Sequence, residues 1–410
     1  MRLSLPSPPK SAAYTGGVLK KICAGTLILL GALSLGHVAR AVVPDMRGSD
    51  VVRDQLGWLA GTLPAAAPEM QELFPEGELF MWLLPGLAAG AVGGDEGAAI
   101  VERAWEAVNA GHVARRFGTG HRLEWGTFYR GWRLLLMVER ARLAGDERRP
   151  ALLAELSTEA TAVLDALRTE PVPTSYPGRS WPCDAVVAMA GVHRAAQLVE
   201  LSGLREATEG WFDRLQPHRD AAGLLVHEVG SPSARGSSQA IIQVFLPDID
   251  ARRAAEEWRV FRERFVSATL GLVGVREHPK GIDLPGDVDS GPLINGVSAS
   301  ASAVTLAAAR RNGDHELVRV LDREADLLGL PLPTGRGPAY AFGLLPVGDA
   351  FLAWARSTEL APPTGAGAPQ PVWWLFWLAA ALPGALGGWW LWRLRAPSRS
   401  GRLLAGRGPR

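Results

Sequence analysis

Cysteine is nearly absent: the 410 residues hold 2, Cys23 and Cys183. Cys23 lies in an apolar run near the start, so the long middle of the chain has a single thiol and no internal disulfide. A large apolar core has to hold that middle together. An excess of one charge is also lacking. Lys and Arg number 43 against 42 Asp and Glu, for a formal net charge of +1, and the signs are interspersed. That leaves no basic face to attract nucleic acid and no acidic tail. Metal and nucleophile signatures are missing as well. The 8 His are scattered, and there is no His-Glu-x-x-His, no paired-Cys spacing, no Gly-x-Ser-x-Gly elbow and no phosphate loop. No metal and no cofactor are expected on this basis. His193, deep in an apolar stretch, reads as a core histidine, and the serines of "ARGSSQ" read as a helix cap.

Long apolar runs are present at both ends. "ICAGTLILLGALSLG" follows Lys20 and Lys21, and "VARA" at 38–41 is a small-residue cleavage pattern, so residues 1–44 read as a signal peptide or an uncleaved signal anchor. Near the other end, "VWWLFWLAAALPGALGGWWLW" (372–392) carries no charge, is long enough to span a bilayer and has Trp at both ends. It predicts a transmembrane helix, with the lipid bilayer as a partner. Six arginines follow it, Arg393, Arg395, Arg399, Arg402, Arg407 and Arg410, and a basic flank of this kind stays on the cytoplasmic side. The expected layout is a cell-membrane protein with a main domain at 45–360 outside the cytoplasm, a Pro/Gly linker at 361–371 acting as a tether, and a basic tail at 393–410 inside.

In the main domain, apolar periodicity near 3.6 dominates, and strand-like alternation is confined to pieces such as "GLLVHEV" and "TLGLVGV". Start and stop signals predict twelve helices, at 50–63, 77–91, 96–110, 126–144, 148–168, 182–202, 204–217, 236–247, 250–267, 291–312, 314–328 and 339–357. Their character alternates. The first, third and later odd members, such as "IDARRAAEEWRVFRERF", are charged and amphipathic, as helices with one wet face are. The even members, such as "VVAMAGVHRAAQLV", are apolar or small on nearly every side. An outer and an inner ring follow, which predicts an all-α fold of the (α/α)6 toroid type with minor β-hairpins. A helical solenoid is the competing layout.

Each even helix is preceded or opened by a motif rich in Gly, Pro, aromatic and polar residues: "LFPEGELF", "HRLEWGTFYRGW", "SYPGRSWPCD", "SARGSSQ", "DLPGDVDSGP" and "TGRGPAY". In an up-down toroid these six meet around one funnel. Part of their content is explained by capping, because Pro suits a first helical turn, and acids or Ser there satisfy free N–H groups. Pro75, Pro182, Pro292 and Pro338 fit that role beside Glu76, Asp184, Asp289 and Ser290. Capping does not require the aromatic and cationic residues at the same places. Trp82, Trp125, Tyr129, Trp132, Tyr176, Arg179, Trp181, Arg235, Arg336 and Tyr340, with Ser238, Gln239 and Ser290, are therefore the expected ligand-binding set. The candidate catalytic residues are Glu76, Glu124, Cys183, Asp184, Asp287 and Asp289, with Glu78 a further carboxylate. Two facing carboxylates can serve as general acid and base, and their separation sets the stereochemical outcome in glycoside hydrolysis.

Two segments, "FYRGWRLLLMVERARL" and "SWPCDAVVAMAGVHRA", resemble inner helices of the linalool dehydratase-isomerase family, an (α/α)6 barrel in which a Tyr-x-Gly-His helix and a Pro-x-Cys-Asn helix help line the site. The likeness covers about forty residues. By that resemblance Cys183 matches a family cysteine and Tyr129 the tyrosine of its helix motif. Trp132 stands in place of the histidine and Asp184 in place of the asparagine, and there is no second cysteine in this domain. The resemblance thus implies a shared fold and pocket location rather than the same chemistry. Three functions follow as expectations. The first is an enzyme acting on a carbohydrate or envelope metabolite by acid–base chemistry. The second is a lyase or isomerase of a small alcohol, and the third a non-catalytic module binding a small molecule, a glycan or a partner segment.

Overall fold

The computed structural model describes residues 10–43 and 50–395. The stretches 1–9, 44–49 and 396–410, which include the expected boundary near residue 44 and Arg399, Arg402, Arg407 and Arg410 of the basic tail, lie outside the described residues. The chain divides into two compact units, Met1–Arg47 with Val372–Arg410, and Gly48–Pro371. Among the described residues there are fifteen α-helices and six short strands.

The first unit is a pair of helices, α1 (Lys10–Val42) and the last helix, α15 (Trp373–Arg395), packed on each other. Stretches within both, Val18–Val42 and Trp373–Arg395, are long and apolar enough to cross a membrane. Small residues let the two backbones touch. A Cβ on Gly31 would lie 2.5 Å from the Gly384 backbone nitrogen, and one on Gly387 would lie 2.6 Å from the Ala24 carbonyl oxygen. As α15 advances from Gly384 to Gly387, its partner on α1 retreats from Gly31 to Ala24, so the pair is antiparallel.

The second unit is mostly helical. In chain order it contains α2 (Val51–Leu73), α3 (Gly77–Val92), α4 (Gly94–Val108), the single turn α5 (Gly111–Ala114), α6 (Gly126–Leu143), α7 (Arg149–Thr169), α8 (Pro182–Ala195), α9 (Leu204–Arg214), α10 (Gly236–Ile249) and α11 (Ala251–Phe265). After strands β1 (Val266–Thr269), β2 (Leu272–Arg276), β3 (Leu293–Ile294) and β4 (Val297–Ser298) come α12 (Ala299–Arg311) and α13 (His315–Gly329). Strands β5 (Leu332–Thr334) and β6 (Gly337–Ala339) then lead to α14 (Pro346–Ser357). The apolar helices pack in sequence: α3 on α6, α6 on α8, α8 on α10, α10 on α12 and α12 on α14, which returns to α3. The charged helices α4, α7, α11 and α13 lie against α3, α6, α10 and α12, α2 lies against α3 and α14, and α9 packs on α7. Their stripes explain the arrangement. On α11 the buried side is Ala254, Trp258, Phe261 and Phe265, while Arg252, Glu256, Arg259 and Glu263 face water.

The core of this unit is aromatic at its centre. Trp132 of α6 meets Phe245 of α10 at 5.3 Å and Trp354 of α14 at 5.8 Å between ring centroids, and Phe80 of α3 meets Trp132 at 5.4 Å. Phe351 of α14 completes the cluster against Phe80 at 5.1 Å. Helices α6, α10 and α14 are not neighbours in the packing sequence, so their rings can meet only across its middle.

Three expectations need correction. A helix ending at residue 63 is too short, because α2 runs through Pro64 and Pro68 to Leu73. Each proline costs a backbone bond, but Leu59, Leu63, Ala66, Ala67 and Met70 keep one face buried on α3 and α14 past both of them. A helix beginning at residue 291 is also wrong, since α12 begins at Ala299, capped by Ser298, whose side chain accepts from the Ala301 N–H. Residues 293–298 instead form a hairpin, β3 to β4, turning at Asn295 (φ +49°) and Gly296 (φ +78°). Both positive φ values are what an Asn-Gly two-residue turn supplies at low cost. Pro292, Asp289 and Ser290 therefore do not open a helix, and Pro338 lies in β6, with Pro346 in the first turn of α14. The "TLGLVGV" alternation does form the β1–β2 hairpin, whereas "GLLVHEV" makes only an isolated bridge between Arg219 and Leu225.

The Pro/Gly linker is not free chain. The Ala361 N–H donates to the Arg310 carbonyl at 2.9 Å, the Thr364 N–H to the Gly313 carbonyl at 2.9 Å, and the Ala368 N–H to the Glu316 carboxylate at 3.0 Å. Between this strap and α11 lies a cavity of about 630 Å3, lined by Ala254, Trp258, Arg262, Lys280, Arg311 and Pro362 among others. It holds none of the six motifs.

Candidate functional site

Backbone crowding fixes the start of several apolar helices. Gly126, the first residue of α6, has φ +80°, and a Cβ there would lie 2.1 Å from the Ser175 carbonyl oxygen. Gly236, which opens α10, has the Arg276 carbonyl 2.0 Å from where a Cβ would sit. Only glycine permits these approaches. As a result the motif before α6 docks on the motif before α8: the Thr127 N–H donates to the Thr174 carbonyl at 2.9 Å, and the Thr127 hydroxyl to that of Pro173 at 3.2 Å. Trp125 takes the left-handed conformation at φ +70° to make this turn.

"SYPGRSWPCD" folds as a tight turn running into α8. The Arg179 N–H donates to the Tyr176 carbonyl at 3.0 Å, with Gly178 at φ +74°. The turn stands Tyr176 against Trp181, edge to face at 5.4 Å, and spreads the Arg179 guanidinium over Trp181 at 4.6 Å. Phe117 and Phe128 flank Tyr176 on its other side at 5.7 and 5.9 Å. The Tyr176 hydroxyl donates to the Glu76 carboxylate, in a short hydrogen bond that joins the N-cap position of α3 to this turn. Glu76 makes no side-chain bond to the helix it precedes, so a capping role does not account for it.

Asp184, in the first turn of α8, is buried. Burial pushes its carboxyl up to about 7, and the charges of Glu76 and Asp289 add to the rise. Glu76 is also raised, first by burial and then by Asp289, although the Tyr176 hydroxyl pulls it down. Asp289 sits on the β2–β3 loop with one side open to solvent, yet the atoms crowded round its carboxyl and the charge of Asp287 raise it as well. Water on its open side tempers that rise. Tyr176 is raised by burial and by Glu76, so it stays a hydroxyl and a donor. Cys183 lies beside Asp184, its Sγ 3.5 Å from Oδ1, and burial holds the thiol well above its ordinary value. A buried, protonated thiol is a poor nucleophile.

A second set of charges borders the first. Arg235 donates to Glu277 at 2.7 Å and to Asp287 at 2.5 Å. Glu277, fully buried, also takes the Ser237 N–H at 3.0 Å and its hydroxyl at 2.8 Å, closing the start of α10 from outside. Arg179 forks onto Glu228 at 2.8 and 2.7 Å. His227 reaches Ser238 at 3.1 Å, and burial with Arg235 nearby holds its pKa down to about 4. One ligand atom each from His227, Asp287 and Asp289 lie within 4.8 Å of one another.

The structure thus brings Glu76, Tyr176, Trp181, Cys183, Asp184 and Asp289 into one neighbourhood, bordered by Arg179, Arg235, Ser238, Asp287 and Ser290. It does not bring the others there. Tyr129 and Trp132 are 3% and 1% exposed, the Tyr129 hydroxyl donates to the Val108 carbonyl, and Trp132 stands in the central ring cluster. Glu124 and Arg336 are exposed, Trp82 is half-buried on α3, and Gln239 is buried with its amide on the Leu225 carbonyl. Glu78 is ion-paired with His112 at 2.8 Å and Arg116 at 3.1 Å. Tyr340 is bound to Asp326 and Arg356 at 2.6 Å each. Sequence reading missed Glu277, Phe117, Phe128 and His227. The glycines that open α3, α6 and α10 were a visible signal for the crowded helix starts. No protein-family model and no curated protein matches the chain.

Proposed function

We propose that the chain is a membrane-anchored enzyme whose outer domain is an (α/α)6 toroid, acting by acid–base chemistry on a hydroxyl-rich ligand of the carbohydrate or envelope-metabolite class. The packing order of the apolar helices, returning from α14 to α3, supports the toroid and a distant kinship in fold with linalool dehydratase-isomerase. The observation that carries the enzymatic reading is the convergence of three carboxylates with raised pKa values from three separate elements, Glu76, Asp184 and Asp289, beside one tyrosine hydroxyl. All three are raised above the ordinary carboxylate range, Asp184 to about 7, which suits groups that hold and release protons as general acid and base. Tyr176 and Trp181 offer ring faces to a sugar or similar ring.

The antiparallel pairing of α1 with α15 brings Lys20 and Lys21 to the same end as Arg393 and Arg395, which supports a cytoplasmic location for both basic flanks and an extracytoplasmic one for residues 50–371. The close packing of Gly31 and Gly384 supports retention of α1 as an anchor rather than its removal. The reading centred on Cys183 as nucleophile is disfavoured by the burial of that thiol. The test is turnover by the full chain in detergent micelles against glycan and terpenoid-alcohol panels, followed by mass spectrometry. Product that disappears in Glu76→Gln and Asp184→Asn supports the proposal. Wild-type turnover by both variants, or ligand binding with no product in any panel, sinks it.

A further inference from the structure

We propose that His227, Asp287 and Asp289 form a divalent-cation site at the edge of the acidic pocket, suited to a cation that takes an imidazole nitrogen together with carboxylate oxygens, such as Mn2+ or Zn2+. The three residues come from two loops, between α9 and α10 and between β2 and β3, and offer ligand atoms within 4.8 Å of one another. One imidazole with two carboxylates is a mixed donor set that these cations accept, and that Mg2+ fills less readily.

The hydrogen bonds around the three residues prepare them for this role. The Ser238 hydroxyl donates its single proton to the Arg235 carbonyl at 3.2 Å, so toward His227 it can only accept. His227 Nδ1, 3.1 Å away, is then the protonated ring nitrogen, and Nε2 carries the free lone pair. A partner on the second ring nitrogen is how metal-binding histidines are commonly oriented. Asp287 Oδ1 takes the N–H groups of Asp289 at 3.1 Å and Ser290 at 3.2 Å, and the Ser300 hydroxyl holds the Asp289 carbonyl at 2.7 Å, so the loop is braced from within. Charge also balances. Arg235, which bonds Asp287 Oδ2, is offset by the fully buried Glu277, which leaves the carboxylates of Asp287 and Asp289 to face the ion. Both Asp residues face solvent, leaving coordination positions for water or for oxygens of a ligand. That last role rests on the function proposed above; cation binding itself does not.

The test is calorimetric titration of the full chain in micelles with MnCl2 and with ZnCl2, after stripping with EDTA. One saturable site per chain is expected, weakened about 10–100-fold in His227→Ala and in Asp289→Asn and unchanged in Glu76→Gln. Melting temperatures of the two loop variants verify that each is folded, and Asp289→Asn, on an exposed loop, is the second variant should His227→Ala fail. No saturable binding of either cation up to about 1 mM, or wild-type affinity in both variants, overturns the site. No cation binding by the unsubstituted chain, with turnover still dependent on Glu76, removes this site and leaves the acid–base reading in place.

Discussion

Two regions of the second unit, Gly48–Pro371, bury acids, and they treat them in opposite ways. Around Arg356, which is 7% exposed, partners are supplied on every side: Asp322 at 2.7 Å, Asp326 at 2.6 Å, the Tyr340 hydroxyl at 2.6 Å and Gln55 at 3.0 Å. This network joins α2, α13 and α14. Around Tyr176, by contrast, three carboxylates crowd together, and none of them forms an ion pair among the described residues. Burial raises the cost of charge in both places, but only the first meets that cost with a cation. The pairing at Arg356 makes a fixed joint. The second region is strained electrostatically, as groups that exchange protons with a ligand need to be.

Variants can break this contrast from either side. The largest effect is expected at the crowded acids: Glu76→Gln and Asp184→Asn each lower turnover by about 10²–10⁴-fold, while thermal melting shows no loss of stability, or a gain for Asp184→Asn above neutral pH. Next is Arg356→Met, which removes the buried cation that Asp322 and Asp326 share and destabilises the fold by about 3–5 kcal/mol, read from urea titrations. Stability falling in the first pair and unchanged in Arg356→Met would reverse the assignment of the two regions.

A smaller effect tests one weak point in the paired network. Asp349 accepts the Tyr340 N–H at 3.1 Å through Oδ1, but its Oδ2 is buried without a partner, and burial pushes its pKa up to about 7 from 3.8. Folding therefore favours the protonated form. Stability is highest below the unfolded-state value, falls as pH rises between the two values, and levels off above the folded one. Asp349→Asn removes that dependence, so its advantage over wild type grows from pH 4 to 8, to about 4 kcal/mol. An equal slope of stability against pH in both proteins would exclude Asp349 as its source. The smallest effect is expected for Cys183→Ala, with turnover within about twofold and stability lowered by about 1 kcal/mol. A large loss of turnover there would restore the thiol-centred reading.

The helical skeleton was legible because apolar and charged, amphipathic helices alternate along the chain. Charged, amphipathic α11 and uniformly apolar α8 cannot be mistaken for each other, and all twelve predicted helices occur. What failed were places where local rules met tertiary packing. Pro64 signals a helix end, yet α2 continues because its apolar face is still being buried. Asn295-Gly296 was a readable hairpin turn hidden inside an apolar stretch that also fits a helix. In the site, Glu76, Tyr176, Asp184 and Asp289 were named from composition, but Tyr129 and Trp132 share the same aromatic signature and lie in the core. Sequence marks the aromatic residues, whereas the direction each ring points is decided by which face of α6 is turned inward.

The ring cluster of Phe80, Trp132, Phe245, Phe351 and Trp354 bears on traffic as well as on stability. Rings from α3, α6, α10 and α14 meeting in this way fill the space between those four helices. Under the function proposed above, the site beside Tyr176 would take a long glycan by one end rather than thread it past its acids.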